Sequence, residues 1–263
     1  MEAIPGGSAA LLAADEPSPV EVRRPRGRSA FLIVCDHAGA RIPRALAALG
    51  LAAADRRRHI AWDIGAAAVA RRLSATWDAC AVLQRYSRLV IDCNRPLDSP
   101  TSIVAESERT PVPGNARIDA AERQRRERAI FAPYHTRIRA LLDDRAARHR
   151  PTVLIAMHSF TPTYLGVARP WHVGVLYHRD PRLATALLAE LRADPTLVVG
   201  ENQPYAVGDA TDFAIPEYGE KRGLLHVEIE LRQDLIATPP GQRAWAARLA
   251  AALTRSLARC QER

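Results

Sequence analysis

The chain has 263 residues, 48% of them hydrophobic and 25% charged, the balance of a soluble globular protein with ample material for one core. No apolar run approaches the ~20 residues of a membrane-spanning helix, so a membrane partner is not expected. The formal net charge of +8 is almost all arginine, Lys221 being the only lysine; no zinc-finger spacing, helix-turn-helix or Gly/aromatic signature accompanies it, so nucleic acid is not expected as a partner either.

Residues 1–28 are rich in Pro, Gly and Arg and read as an irregular lead-in. The apolar patch Ala9–Ala14 lacks a basic flank and falls short of the ~7–15 apolar residues of a signal peptide. Phe31–Cys35 is an apolar run bounded by Asp36-His37, Gly39 and Pro43, the pattern of a strand buried on both faces. Pro43–Leu51 reads as a short helix. Asp63–Thr76 has Ile64, Ala67, Ala68 and Leu73 at helical spacing, with Asp63 near its start. Cys80–Leu83 and Ser87–Cys93 read as strands, the second ended by Asn94-Arg95-Pro96. Residues 97–117 are polar and aperiodic, the mark of a functional or disordered loop. Ile118–Phe131 and Pro133–Arg148 read as helices whose arginines form a solvated face, with Pro133 suited to a first turn.

Thr152–Met157 is a second apolar strand, followed at once by His158-Ser159. His172–Tyr177 is a further strand, Pro181–Arg192 a helix, Thr196–Val199 a short strand and Asn202–Tyr218 an irregular polar loop. Leu224–Leu231 alternates as a strand, and Gln242–Gln261 closes the chain as an amphipathic helix. Strands and helices alternate without a flexible linker and without internal repeats. The pattern predicts one α/β domain over residues 29–263 with a mixed, largely parallel sheet. Cys35, Cys80, Cys93 and Cys260 show no CxxC spacing and read as reduced thiols of a cytoplasmic protein.

Ligands of open α/β sheets gather at the carboxyl ends of strands, and two strands here each end in a histidine. His37 and His158 therefore read as a metal pair, or as two histidines satisfied at the sheet edge. With period two, His226, Glu228, Glu230 and Arg232 share one face of their strand. That face is either a polar exterior or a carboxylate aimed at the site as general base, with Arg232 pairing a neighbouring acid. Arg88, Asn94 and Arg95 flank Ser87–Cys93; two guanidinium forks near a metal suit a substrate bearing carboxylates, while a structural pair of Arg88 with Asp92 is the alternative. Asp63 is either a helix cap or a metal carboxylate. His59, His135, His172 and His178 suit surface or packing roles. GxGxxG, GxxxxGK[ST], GxSxG and HExxH are all absent, which argues against the common nucleotide folds, serine hydrolases and zincins.

CDHAGARIP, WDIGA, YSRLVIDCNRP, PYH, AMHSF and HVEIELRQDL, in this order from Phe31 to Ile236, resemble the N-formylglutamate amidohydrolase family. The resemblance implies an α/β/α sandwich around a mixed sheet, similar to zinc carboxypeptidases and aspartoacylases. It implies one divalent metal, zinc before manganese or iron, on His37 and His158. Carboxypeptidase-like relatives place a glutamate three residues after the first histidine; Ala40 stands there in this chain, which leaves Asp63 as the third ligand. Glu230 would match the general base, with Glu228 as the fallback. Arg88, Asn94 and Arg95, with Arg232 beside them, would grip substrate carboxylate. The implied reaction is hydrolysis of N-formyl-L-glutamate to formate and L-glutamate. An amidase for another N-acyl amino acid or small peptide is the alternative, and a non-catalytic arginine-rich binding domain stands outside the enzyme class. The oligomeric state is not legible.

Overall fold

In the computed structural model, which describes residues 10–262, Phe31–Cys35 is buried along its whole length. It is one strand of a seven-stranded sheet built from Val20–Arg23 (β1), Phe31–Cys35 (β2), Cys80–Gln84 (β3), Val153–Phe160 (β4), Val173–Leu176 (β5), Val199–Glu201 (β6) and Leu225–Arg232 (β7). The strand order is β1-β3-β2-β4-β7-β5-β6. Pairs β3–β2, β2–β4, β4–β7 and β5–β6 are parallel, while β1–β3 and β5–β7 are antiparallel. The sheet is therefore mixed and largely parallel.

Apolar residues on both faces of the central strands demand cover on both sides. Phe31, Ile33 and Cys35 pack with helices Ala66–Trp77 (α1), Arg182–Arg192 (α4) and Pro239–Gln261 (α5). Leu32 and Val34 point the other way, into a core shared with helix Ala132–Ala147 (α3). Three layers result, and the carboxyl ends of β2, β4 and β7 lie side by side at one edge. Among the described residues no helix is long and apolar enough to cross a membrane. Cys35, Cys80 and Cys93 are buried free thiols, and Cys260 is half-buried.

Four elements differ from the sequence expectation. Val20–Arg23 lies within the expected irregular lead-in yet pairs with β3 as an edge strand, and Leu11 is buried as well; residues 1–9 of that lead-in lie outside the described residues. Ser87–Cys93 is not a strand. Its apolar residues Leu89, Val90 and Ile91 are buried as expected, but by turns: backbone N–H groups of Ser87, Arg88 and Asp92 donate to carbonyls of Arg41, Ala61 and Ser102, so no ladder forms. Arg44–Gly50 makes 3₁₀ turns, not an α-helix, with Ala47, Ala48 and Leu49 at positive φ. Arg126, expected in solvent, is 1% exposed. The helix Ala120–Arg126 (α2) runs through a π turn into α3, and Arg126 donates to Val90 O at 3.0 Å and Asn115 Oδ1 at 2.7 Å. With Arg123 on Ser102 Oγ at 2.8 Å, it fastens the 97–117 loop beneath the site.

Candidate active site

Two glycines set the entry to the site. A Cβ at Gly39 would meet the Arg85 carbonyl at 2.1 Å, so the turn after β2 lies flat on the chain leaving β3. Gly65, at φ 85°, caps α1, whose start is Ala66 and not Asp63. Asp63 is thereby released from helix capping and turns inward, accepting from the Ser159 backbone N–H at 3.2 Å.

His37, Asp63 and His158 are buried together, with one ligand atom from each within 4.8 Å of the others. Asp63 Oδ2 lies 3.3 Å from His37 Nδ1 and 3.0 Å from His158 Nδ1. Each imidazole has a carboxylate near its other nitrogen: His37 Nε2 is hydrogen-bonded to Asp92 Oδ1 at 2.7 Å, while His158 Nε2 lies 3.3 Å from Asp36 Oδ2 without a hydrogen bond. A carboxylate behind a histidine is the usual support of a metal ligand, because it fixes the ring and leaves the front nitrogen its lone pair.

With His37 Nε2–H donating to Asp92, His37 Nδ1 and Asp63 Oδ2 are acceptors facing one another at 3.3 Å, a conflict that a cation removes. Charge counting agrees. Asp36, Asp63 and Asp92 meet one guanidinium, that of Arg88, which contacts Asp92 at 2.7 Å and Asp63 at 3.8 Å. Two positive charges are wanting, and two protons or one divalent ion would supply them. Burial and Arg88 push His37 down, and Asp92 and Asp63 outweigh them, leaving it raised. Burial likewise opposes the charged form of His158, but Glu228, Asp36 and Asp63 hold it well above its ordinary value. Burial works against ionised Asp63, yet the two histidines hold its carboxyl well below the usual range. Three donor atoms converging within 4.8 Å make a set that a divalent cation fits, and two imidazoles with a carboxylate suit zinc.

The cavity over this set measures about 480 Å³ and is also lined by Glu228 and Glu230. Both are buried, at 3% and 5% exposure, so the alternative of a polar exterior does not describe this face of β7. One oxygen of each has no hydrogen-bond partner. Burial pushes both up to about 8, against the pull of His158.

The family model for N-formylglutamate amidohydrolase matches residues 29–237. The chain belongs to this family. It is similar to the gene product Atu2144 from Agrobacterium tumefaciens, at 39% identity and a TM-score of 0.93 over 95% of this chain and 99% of that one. It shares its fold with the N-formylglutamate amidohydrolase from Ralstonia eutropha JMP134, at 20% identity and a TM-score of 0.69 over 94% of this chain and 99% of that one. No curated protein matches it.

Within this amidohydrolase-family cavity the expected carboxylate-binding residues are differently occupied. Arg88 lines the cavity with its guanidinium spent largely on Asp92. Asn94 lines it too, but its oxygen accepts from Phe213 and Ala214 at 3.0 and 3.1 Å and its amide donates to Asp212 at 3.2 Å. Arg95 bonds the Thr211 carbonyl and stands 3.8 Å from Asp212. Arg232 does not line the cavity: it turns to Asp234 at 2.8 Å and the Pro170 carbonyl at 3.2 Å, because β7 ends there and the next turn offers a closer acid. Of the unassigned histidines, His59 lines the cavity beside Glu108, at 3.1 Å. The structural pair of Arg88 with Asp92, offered by the sequence as the alternative, is present, but sequence reasoning missed the contact of Asp92 with His37, the place of Asp36 beside His158, and the rim pair Tyr164 and Tyr205. The DH and IDC contexts at strand or turn ends were the available signal for the aspartates.

Proposed function

We propose that this chain is a metal-dependent amidohydrolase that cleaves the N-acyl amide of an N-formyl amino acid, with N-formyl-L-glutamate as the leading substrate and residues 29–263 as the catalytic domain. The observation that supports it most is the convergence of His37 Nδ1, His158 Nδ1 and Asp63 beside two buried, partly unpartnered glutamates, in a chain of the amidohydrolase family.

His37, Asp63 and His158 would hold the divalent ion, zinc by donor type; when bound it supplies Lewis acidity toward the amide carbonyl and brings the pKa of water near ~7. Asp92 and Asp36 hold the two imidazoles in the ligating orientation. Glu230 takes the proton of the attacking water at a carboxylate oxygen and returns it to the departing nitrogen. Burial raises the Glu230 carboxyl above the ordinary carboxylate range toward the operating pH, where a group that both takes and returns a proton works best. Glu228, buried beside it, raises the local demand for positive charge and serves as the second base candidate. The arginines and the cavity walls orient the amino-acid part, so that attack on the carbonyl becomes effectively unimolecular. The products are formate and the free amino acid.

Elemental analysis of the purified protein, with formate release from N-formyl-L-glutamate before and after chelation, tests this reading. About one metal per chain with chelator-sensitive release is the expected result. No metal, and no formate when zinc is added back, would sink it.

A further inference from the structure

Each arginine expected to meet substrate is already engaged by a partner of the chain itself: Arg88 by Asp92, Arg95 by the Thr211 carbonyl, Arg232 by Asp234. Arg169 is differently placed. Its guanidinium carbon lies over two rings, 4.7 Å from the Tyr164 centroid and 4.8 Å from the Tyr205 centroid. Nη1 donates to Tyr205 Oη at 2.9 Å. The guanidinium also stands 6.0 Å from the Phe160 ring, two residues beyond His158. Among the described residues no carboxylate is ion-paired with it. The nearby acid Glu108 is taken by Arg58 and His59, at 2.7 and 3.1 Å.

Two ring contacts and the bond to Tyr205 restrict this guanidinium, so little rotamer freedom is lost when its remaining N–H groups bind. Tyr164 and Tyr205 line the cavity and are 37% and 43% exposed; Arg169 is not itself a lining residue but stands against these two rings at the rim, whereas the ligand set is buried beneath. Arg169 is close enough that its charge acts on both Glu230 and His59. With the scissile amide at the buried donors, a group that reaches the rim is the far end of the substrate.

We infer that Arg169, clamped between Tyr164 and Tyr205, receives a carboxylate at the far end of the substrate and makes the site selective for N-acylated acidic amino acids. This rests on the amidohydrolase reading above and assigns its acidic specificity to a residue outside the expected set. A planar fork on a carboxylate forms paired, charge-assisted hydrogen bonds, and their loss is worth ~10- to 100-fold in affinity.

The test compares the wild type, Arg169→Gln and Arg169→Lys on N-formyl-L-glutamate and N-formyl-L-glutamine. Arg169→Gln raises KM for the glutamate compound ~10- to 100-fold with kcat changed far less, and loses much less kcat/KM on the glutamine compound, so the preference for glutamate over glutamine falls ~10- to 100-fold. Arg169→Lys, which keeps the charge but not the fork, recovers part of the loss. Equal loss on both substrates marks Arg169 as only a latch between the antiparallel pair Thr163–Tyr164 and Val167–Ala168 and the 202–218 loop, and overturns the inference. A second measurement needs no turnover: calorimetric binding of glutarate and of butyrate to the metal-loaded protein. Glutarate binding that weakens in Arg169→Gln while butyrate binding holds supports the receptor, even if no formate is released and the amidase reading falls. Glutarate that fails to bind the wild type, or binds the variant equally well, overturns it.

Discussion

Glu230 and His158 occupy the same register on adjacent parallel strands, β7 and β4, so a carboxyl and an imidazole emerge side by side from one face of the sheet. The backbone ladder fixes their spacing, and both are buried. Two side chains placed in this way cannot drift apart without breaking strand pairing.

Glu230→Gln keeps the shape of the side chain and removes the base. It lowers kcat for formate release by ~10²- to 10⁴-fold with KM little changed. Metal content, measured on the same preparation, stays at the wild-type level. Glu228→Gln has the smaller effect; if the two effects are reversed, the roles of the glutamates are exchanged.

Asp92→Asn replaces the carboxylate that lies 2.7 Å from His37 Nε2 and that engages Arg88. Loss of such support weakens metal binding ~10- to 100-fold. Competition with a fluorescent chelator measures this directly, independent of turnover. An unchanged metal affinity would show that His37 needs no backing carboxylate.

Arg126→Met removes the donors that satisfy the Val90 carbonyl and Asn115 Oδ1, both buried. Buried acceptors left unpaired cost about 1–3 kcal/mol each. Denaturant unfolding reads the loss, and limited proteolysis shows earlier cleavage within residues 97–117. Equal proteolysis of variant and wild type would mean that Arg126 does not hold this loop.

His135 is fully buried against Tyr218, whose hydroxyl lies 2.6 Å from Nδ1, and burial pushes its pKa down to about 3. The unfolded chain, with an ordinary value near ~6.5, takes up the proton first as pH falls. His135 therefore favours the folded state fully above about 6.5, and this contribution is lost between there and about 3, at about 1.4 kcal/mol per pH unit. Unfolding free energies of wild type and His135→Phe across this window test it. Their difference varies with pH by that slope, because the remaining groups cancel; a flat difference refutes it.

The fold was legible wherever a strand needed cover on both faces. Phe31–Cys35 and Val153–Phe160 announce themselves as continuous apolar runs, and α1 and α4 by their helical spacing. Val20–Arg23 hid because an edge strand of alternating character, set among prolines and arginines, carries little apolar signal. Leu89–Ile91 misled because burial alone does not specify a ladder; the flanking N–H groups of Ser87, Arg88 and Asp92 went to the carbonyls of Arg41, Ala61 and Ser102 instead. The histidine pair was visible because a strand end gives direction to the next side chain. The contacts of Asp36 with His158 and of Asp92 with His37 were not, since those partners lie far along the chain. Arg169 was invisible for the same reason: its environment comes from Tyr205, 36 residues away.

β2 and β4 are neighbours in the sheet although Phe31 pairs with Val153, far down the sequence. Closing so long a loop is entropically costly and makes the step late in folding. The proposed ion-binding set straddles that junction, with His37 following one strand and His158 within the other. A ribosome-bound chain therefore holds no competent site until β4 has emerged and docked. Uptake of metal during refolding accordingly reports completion of the central sheet, trailing the local helices that form before it.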